Sequence, residues 1–292
     1  MAAAKTPPEK YSDPPMNYLI KTKDFYKRID NESDQTFCPN MGANVTLLML
    51  ITSSPDHNEQ RLSIRRSWGS YSDRRNVSIR FVLGRSLNQS IENEIMTENL
   101  QYGDLVRGNF IDSYWNLTLK TITMLDWTSS NCPEVKFILK TDDDMFINVP
   151  RLLAFVESHA SSKRTIFGRL VVKWKPARNK GSKHYITLEQ YFPPIFPPFT
   201  TGPAYLMTSD VVADLYKTAL AQTYNQLEDV FITGVVAQLL NIKRINMKEF
   251  LNQPLSPMDE CTVQKFISIH RVNSTDLLRL WEKLSDDSLK CG

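Results

Sequence analysis

One stretch of the sequence runs from an apolar strand straight into three carboxylates and then back into apolar residues: Lys136-Phe137-Ile138-Leu139-Lys140-Thr141-Asp142-Asp143-Asp144-Met145-Phe146-Ile147-Asn148. Three adjacent carboxylates repel one another, and burial makes that repulsion worse. A bound cation would neutralise them, and carboxylate oxygens suit Mg²⁺, Ca²⁺ or Mn²⁺. The stretch therefore predicts a metal site at the end of a buried strand. The alternative, a solvated acidic turn between two strands, is disfavoured by the apolar residues on both sides.

The composition indicates a globular protein with a large core. The chain has 292 residues, of which 41% are hydrophobic, and this length allows one or two domains. The formal net charge is +3 with the two signs well mixed, so nothing favours nucleic-acid binding through a basic surface. No apolar run approaches the roughly 20 residues needed to cross a bilayer, and the N-terminus carries no secretory signal.

Other features nevertheless point to the secretory pathway. Asn-x-Ser/Thr sequons begin at Asn31, Asn44, Asn76, Asn88, Asn116 and Asn273. The four cysteines form no CxxC motif, and their even number permits two disulfides. We expect the pairs Cys38–Cys132 and Cys261–Cys291, because neighbouring parallel strands would bring the first two together. The sequence alone leaves three pairings open, and free buried thiols are the alternative.

The first 37 residues differ from the rest of the chain. They are rich in proline and charge, which is typical of a flexible stem, so we expect the folded domain to occupy residues 38–292. A secretory protein needs a signal or an anchor. We therefore expect the native protein to have a further segment before residue 1.

From Cys38 onward, strand and helix patterns alternate. The patterns predict strands at 45–52, 77–83 and 105–110, helices at 58–68, 88–100 and 114–128, then the acidic strand and a helix opened by Pro150. Such alternation, with near-continuous apolar strands, predicts a mainly parallel sheet with helices on both faces. The second half is less regular, and residues 173–199 read as a long aromatic loop, which in a compact domain is usually functional.

Three further groups of residues are candidates for chemistry. His270 follows a predicted strand at 266–269, which places it at a sheet edge as a possible second metal ligand; the alternative is a structural histidine. Glu228 and Asp229 precede an apolar helix, either as a helix cap or as a general base. Arg61 and Arg65 lie one turn apart on a predicted helix, either as a phosphate clamp or as an ordinary basic surface.

Taken together, these motifs resemble the β-1,3-glycosyltransferases, the family that contains β-1,3-galactosyltransferases and β-1,3-N-acetylglucosaminyltransferases. The motifs occur in family order between about Asn44 and Trp281: Arg61-x-x-x-Arg65-x-Ser67-Trp68-Gly69, Phe110-x-Asp112-Ser113-Tyr114-x-Asn116-Leu117-Thr118-x-Lys120-Thr121, Lys140-Thr141-Asp142-Asp143-Asp144-x-Phe146-x-Asn148, Lys183-x-Tyr185, Glu228-Asp229-Val230-x-x-x-Gly234 and His270. The segment Phe199-Thr200-Thr201-Gly202-Pro203-Ala204-Tyr205 is similar to the invertebrate branch. The resemblance implies a GT-A nucleotide-sugar transferase fold.

On the donor side, the resemblance implies a Mn²⁺ site and a pocket for a UDP-sugar. Asp144 would be the direct metal ligand and His270 the second protein ligand, while Asp142 and Asp143 would contact the ribose and metal-bound water. The metal would offset negative charge on the departing diphosphate. The residues implied to line the nucleotide pocket are Arg61, Arg65, Asp112 and Lys120.

On the acceptor side, the resemblance makes Asp229 the base of an inverting displacement, with Glu228 positioning it or holding donor hydroxyls. The aromatic loop would form the acceptor wall, although its rings could instead simply cover the sheet. Further substrate contacts are implied for Trp174, Lys183, Tyr185 and Gly202. The chain departs from the family here, because His184 replaces the tryptophan of Lys-Trp-Tyr and Pro203-Ala204 replaces a glycine-rich turn, so sugar specificity does not transfer.

The expected function is β-1,3 transfer of a hexose, galactose first, to a glycan acceptor on a glycoprotein or glycolipid. The enzyme would act in the Golgi lumen, anchored through the further N-terminal segment. Transfer of N-acetylglucosamine and a non-catalytic sugar-binding relative are the alternatives. A phosphatase of the haloacid-dehalogenase type is disfavoured, because its nucleophile stands on the first strand, whereas here three predicted strands precede Asp142.

Overall fold

The computed structural model describes residues 20–27, 38–73, 76–255 and 260–284. In these residues the strands are β1 (Leu47–Thr52), β2 (Val77–Arg85), β3 (Leu105–Ile111), β4 (Phe137–Asp142), β5 (Met145–Ile147), β6 (Thr165–Val171), β7 (Phe199–Thr208), β8 (Lys243–Asn246), β9 (Phe250–Leu251) and β10 (Ser268–His270). The α-helices are α1 (Thr22–Phe25), α2 (Asn58–Arg65), α3 (Gln89–Tyr102), α4 (Leu117–Asn131), α5 (Val149–Ser158), α6 (Val212–Ala221), α7 (Ala237–Leu239), α8 (Glu260–Val263) and α9 (Ser274–Leu284). A π-helix at Val230–Val236 leads into α7, and short 3₁₀ turns lie at Pro39–Gly42, Trp68–Asp73, Tyr114–Asn116 and Ser209–Val211.

The larger sheet in the described part of the chain has seven strands, in the order β3-β2-β1-β4-β7-β6-β8. Strands β1 to β4 are parallel, whereas β7 is antiparallel to both β4 and β6. Since β2 and β3 lie on one side of β1 and β4 on the other, the strand order reverses between β1 and β4. Ligands of open α/β sheets bind at such a switch point, beyond the carboxyl ends of the strands. Asp142 pairs with Thr52 there, at the ends of β4 and β1.

The side chains of strand β1 pack against apolar cores on both faces of the larger sheet. Leu47, Met49 and Ile51 pack in one apolar core, while Leu48 and Leu50 pack in another. Because successive side chains of a strand point to opposite faces, a strand apolar at every position must be covered on both. The mainly parallel, helix-covered sheet expected of a GT-A fold is therefore confirmed.

A second, three-stranded sheet carries the end of the acidic motif to His270. Its order is β5-β10-β9, and β5 begins one residue after Asp144. His270 pairs with Met145 in the antiparallel ladder between β10 and β5. This pairing brings the predicted second metal ligand beside the acidic motif, although the two are more than a hundred residues apart in the sequence.

The disulfide Cys38–Cys132 forms as predicted, with 5.6 Å between the two Cα atoms. The other expected pair, Cys261–Cys291, is not tested, because Cys291 lies outside the described residues. The sequon at Asn31 and most of the predicted stem lie outside them as well. No helix in the described ranges is both long enough and apolar enough to cross a membrane.

Candidate active site

The carboxyl ends of β1 and β4 open into a cleft of about 620 Å³. Small-molecule sites in proteins commonly measure about 300–1,000 Å³, so a ligand of nucleotide-sugar size fits this cleft. The site residues predicted from the sequence that line it are Asp112, Lys120, Asp142, Asp143, Asp144, Trp174, Lys183, Gly202, Glu228, Asp229 and His270. Arg61, Arg65 and Tyr185 do not line the cleft.

Two of the three consecutive carboxylates are held by the last residue of β1 and by the loop that follows it. Asp142 accepts a hydrogen bond of 2.6 Å from the Thr52 hydroxyl, and Asp143 accepts one of 2.6 Å from the Ser53 hydroxyl. Nδ1 of His57 lies 2.8 Å from Asp143, and this hydrogen bond raises the pKa of His57 above its ordinary value. The repulsion between the neighbouring carboxylates is thus offset by hydroxyl and imidazole partners.

Asp144 differs from its two neighbours because its side chain is turned toward the cleft and is 45% exposed. Its oxygen Oδ2 lies 3.3 Å from Nε2 of His270. Burial acts to raise the pKa of Asp144, but hydrogen bonding to His270 and the charge of that residue outweigh burial and lower the pKa below its ordinary value. Asp144 is therefore kept ionised, as a metal-binding carboxylate must be.

This pair fits a cation held by two protein ligands. A carboxylate oxygen and an imidazole nitrogen face each other at the carboxyl end of β4, and both line the cleft. Within the described ranges, no group of three or more His, Cys, Asp or Glu side chains comes together as a metal site. The remaining ligands would then come from the substrate and water, which is usual for ions that assist phosphate chemistry.

Arg61 and Arg65 require a correction, because the structure turns the predicted phosphate clamp into a structural cluster. The side chain of Arg61 is 0% exposed and donates two hydrogen bonds to Glu98, of 2.8 and 2.7 Å. Arg65 donates to Glu98 at 2.7 Å and to Asp104 at 2.9 and 2.8 Å. Buried charges require such partners, so neither guanidinium is available to a ligand in the cleft. Arg61 contacts the site only indirectly: it donates a hydrogen bond of 3.1 Å to the hydroxyl of Ser53, and that hydroxyl donates to Asp143.

Asp112 and Lys120 do reach the cleft, as an ion pair. Nζ of Lys120 lies 2.9 Å from Oδ2 of Asp112 and donates to the carbonyl of Ser53 at 2.7 Å. Asp112 also accepts a hydrogen bond of 2.6 Å from the amide of Gly84. The pair ties the ends of β1, β2 and β3 to helix α4, so its position in the cleft wall is fixed.

The second acidic motif stands at the start of the π-helix. Oδ2 of Asp229 accepts a hydrogen bond of 3.0 Å from the amide of Gly202, and Oδ1 accepts one of 2.8 Å from the amide of Val230. Burial raises the pKa of Asp229 above its ordinary value, while these two hydrogen bonds oppose the shift. The carboxylate is held in a fixed orientation and is more basic than an exposed aspartate, which suits a general base.

Glu228 lies deeper than Asp229, at 6% exposure. It accepts a hydrogen bond of 2.6 Å from the hydroxyl of Tyr205. Burial raises the pKa of Glu228 to about 7; the charge of Lys140 lowers it and that of Asp229 raises it. Its position behind Asp229 fits the predicted supporting role better than direct chemistry.

Lys140 connects the two acidic motifs. Its Nζ lies 2.6 Å from Asp142 and 3.9 Å from Glu228, and it donates to the carbonyl of Gly202 at 2.8 Å. The amide of the same glycine holds Asp229. Burial acts to lower the pKa of Lys140, but the neighbouring carboxylates outweigh it and raise the pKa, so the ammonium stays charged.

The aromatic loop is divided between core and cleft. Phe196 and Phe199 are buried in a small apolar cluster, so part of the loop does cover the sheet. Trp174 lines the cleft with its ring 5.4 Å from that of His184, which lines the cleft as well. Tyr185 is half-buried outside the cleft lining, and its carbonyl accepts a hydrogen bond of 2.7 Å from Gln226. Tyr185 therefore does not line the cleft, and its contact with substrate stays a prediction.

Sequence reasoning missed some of the residues that shape the cleft. His57 and Arg271 both line it, although neither was singled out as a candidate. Lys140 was quoted within a motif but was given no role. A lysine inside an otherwise apolar strand was the signal that could have identified it, because a buried ammonium requires carboxylate partners.

Sequence comparisons identify the family of this chain. The profile of the Galactosyltransferase family matches residues 59–248. Mouse N-acetyllactosaminide β-1,3-N-acetylglucosaminyltransferase 4 is 31% identical over 253 residues, which cover 84% of this chain and 72% of the relative. β-1,3-Galactosyltransferase 5 of Pan paniscus is 30% identical over 247 residues, 82% of this chain and 81% of the relative.

The chain belongs to the galactosyltransferase family of β-1,3-glycosyltransferases, and it is a glycosyltransferase. Membership implies a nucleotide-sugar donor and a glycan acceptor. Among solved structures, a glycosyltransferase involved in the glycosylation of the major capsid of PBCV-1 aligns over 81% of this chain and 98% of its own, with 10% identity and a TM-score of 0.44. The family assignment rests on the sequence relatives and not on that distant structural similarity.

Proposed function

We propose that this protein transfers galactose from UDP-galactose to a hydroxyl of a glycan, with inversion at the sugar carbon and formation of a β-1,3 linkage. One observation carries the proposal: a single cleft holds both the Asp144–His270 pair and the half-buried carboxylate of Asp229. An inverting transferase needs these two functions at once, because charge must be stabilised on the leaving group while a base takes the acceptor proton.

The donor half of the proposed site uses Asp144 and His270 to hold Mn²⁺. Bound there, the ion would supply positive charge that stabilises the departing diphosphate. Asp142 and Asp143 are oriented by Thr52 and by Ser53 with His57, and they are the proposed contacts for the ribose and for ordered water. Asp112 and Lys120 provide the fixed wall of the nucleotide pocket.

The acceptor half uses Asp229 as the general base. As the acceptor oxygen forms its bond to the anomeric carbon, the bond from that carbon to the UDP oxygen breaks, and the hydroxyl proton moves to Asp229. The hydrogen bonds from Gly202 and Val230 fix the carboxylate during this transfer. No covalent intermediate is required, in keeping with an inverting displacement. The exposed face of Trp174 is the proposed packing surface for the acceptor sugar.

Transfer of N-acetylglucosamine is the second candidate function. The relatives of comparable identity include an enzyme named for that activity as well as one named for galactose transfer. The cleft differs from the family motif at His184, close to the base, and a single hydroxyl or acetamido group in a donor pocket is enough to decide between such sugars.

The secretory pathway is the proposed place of action. The disulfide Cys38–Cys132 is of the kind that persists in an oxidising compartment. The sequon asparagines Asn44, Asn76, Asn88 and Asn273 are exposed, so they are accessible to glycosylation. Both features suit an enzyme of the Golgi lumen, where we propose that a membrane anchor holds it.

A donor screen tests the proposal. Purified protein with Mn²⁺ is given UDP-Gal, UDP-GlcNAc, UDP-GalNAc, UDP-Glc and UDP-GlcA in turn with a panel of Gal- and GlcNAc-terminated acceptors, and released UDP is counted. We expect turnover with UDP-Gal and loss of that turnover in Asp144→Ala and Asp229→Asn. Turnover with UDP-GlcNAc alone would favour the second candidate, whereas absence of UDP binding would overturn both.

A further inference from the structure

Arg271 occupies the cleft directly after the proposed metal ligand His270. It lies in the short loop between β10 and α9, and its side chain is exposed and lines the cleft. The loop is fixed on the far side of Arg271, because the amide of Val272 donates a hydrogen bond of 2.9 Å to the carbonyl of Asp144. The position of Arg271 relative to the Asp144–His270 pair is therefore set by the backbone on both sides.

The backbone of Arg271 adopts a conformation that arginine disfavours. Its φ is +61°, in the left-handed region. Glycine adopts this region freely and asparagine tolerates it, whereas a long side chain there is strained. Such strain in a protein concentrates at functional sites, where the surrounding structure maintains it.

Arg271 differs from the two buried lysines of the cleft, Lys120 and Lys140, in having no partner among the described residues, a property that it shares with the exposed Lys183. Lys120 is paired with Asp112, and Lys140 is paired with Asp142. Among the residues that the structure describes, none forms a hydrogen bond or an ion pair with the guanidinium of Arg271. An uncommitted guanidinium that faces a cleft is available to an anionic ligand.

We infer that Arg271 binds the diphosphate of the nucleotide-sugar donor and takes up part of the charge that develops on the leaving group. This inference rests on the proposed function. A guanidinium presents a planar fork of N–H donors that matches phosphate oxygens, and it remains charged at every working pH. Arg271 thereby fills the role that the sequence had suggested for Arg61 and Arg65, whose guanidinium groups are committed to Glu98 and Asp104.

The test exploits the left-handed backbone. Arg271→Gly removes the guanidinium and relieves the strain at φ +61°, so the fold should be at least as stable as in the wild type. Arg271→Asn serves as a second variant that this backbone tolerates. Arg169→Ala is the matched control, because Arg169 is also exposed but lies on β6 and does not line the cleft.

Calorimetry in Mn²⁺ compares the binding of UDP and UMP by each protein, with the melting temperature recorded alongside. Losing a charge-assisted hydrogen bond to phosphate should weaken UDP binding by about tenfold. We expect that loss in both Arg271 variants, a smaller loss for UMP, an unchanged control and an unchanged or raised melting temperature in Arg271→Gly. Unchanged UDP affinity, or equal losses for UDP and UMP, would overturn the role of Arg271 alone. Failure of the wild type to bind UDP would overturn the proposed function together with this inference.

Discussion

The two acidic motifs of the cleft carry the same kind of side chain in opposite environments. Asp144 is 45% exposed and has its pKa lowered, with His270 as the cause that outweighs burial. Glu228 is 6% exposed and has its pKa raised by burial to about 7. A carboxylate that is paired and open to the cleft stays charged and suits cation binding. Burial also raises the pKa of Asp229, the proposed base, and makes it a better proton acceptor, so the environment divides the work between the two motifs.

Breaking the second motif should have the largest effect. Asp229→Asn keeps the shape of the side chain but removes its basicity, and general-base catalysis contributes about 10²–10⁴-fold to rate. We expect kcat to fall by roughly 10³-fold, measured as UDP release with saturating donor and acceptor. The control is Asp210→Asn, which changes an exposed aspartate in the 3₁₀ turn before α6 and should leave kcat unaffected. Full activity in Asp229→Asn would assign the base to another residue.

Removing the link between the motifs should destabilise the protein. Lys140→Met leaves Asp142 and Glu228 without their shared cation, and breaking a buried ion pair from one side costs about 3–5 kcal/mol. Urea unfolding should show a loss of about 4 kcal/mol. Lys136→Met is the matched control, since Lys136 is exposed just before the same strand and should change stability by less than about 0.5 kcal/mol. Equal stability of the two variants would show that Lys140 does not hold the motifs together.

The raised pKa of Glu228 predicts a pH dependence of stability. Below its ordinary pKa of 4.5 this carboxyl is protonated in both the folded and the unfolded chain, whereas between 4.5 and about 7 only the folded chain retains the proton. The contribution of Glu228 to the free energy of unfolding should therefore fall by about 3 kcal/mol as the pH rises through this window. Glu228→Gln should lack this term, so the difference between the two unfolding profiles should change across the window. A difference that is constant with pH would contradict the buried, proton-holding carboxyl.

The first acidic motif is tested through its proposed role in binding Mn²⁺. His270→Ala should raise the Mn²⁺ concentration for half-maximal activity by at least about tenfold, because one of two protein ligands is lost. Excess chelator should abolish activity in the wild type. His159→Ala, which removes a histidine stacked on Phe155, is the control. The same Mn²⁺ requirement in both variants would exclude His270 as a ligand.

The smallest effect is expected on the acceptor side. Trp174→Ala removes an aromatic surface from the cleft and should raise the KM for the acceptor by roughly tenfold, with the KM for the donor unchanged. Leu188→Ala changes an exposed apolar residue of the same loop that does not line the cleft, and it should have no effect. A matching rise in the donor KM would show that Trp174 serves the nucleotide instead.

The sequence predicted those features of the fold and site that depend on residues close together in the chain. Apolar strands β1 and β4 and the acidic end of β4 are local patterns, and both the sheet and the cleft position of Asp142 to Asp144 were predicted from them. Arg61 and Arg65 have the helical spacing of a phosphate clamp, but their partner Glu98 lies 37 and 33 positions further along the chain. Periodicity carries no information about such a partner, so the burial of both side chains could not be predicted.

Other features of the site depend on geometry that the residue pattern does not encode. Lys140 reaches the carbonyl of Gly202 only because β7 runs antiparallel to β4, whereas the sequence predicted a mainly parallel sheet without specifying this pairing. Arg271 lines the cleft through a left-handed backbone turn, which glycine or asparagine would have signalled and arginine does not. The family motifs include the acidic residues that line the cleft, but they gave Lys140 no role and did not include Arg271.

The division of labour between the two acidic motifs is tested most directly by calorimetric titration of UDP, in the presence of Mn²⁺, into Asp144→Ala and Asp229→Asn side by side. The account predicts that Asp144→Ala loses UDP binding, while Asp229→Asn binds UDP as the wild type does even though both variants lose sugar transfer. Wild-type UDP affinity in Asp144→Ala, or loss of UDP binding in Asp229→Asn, would contradict it.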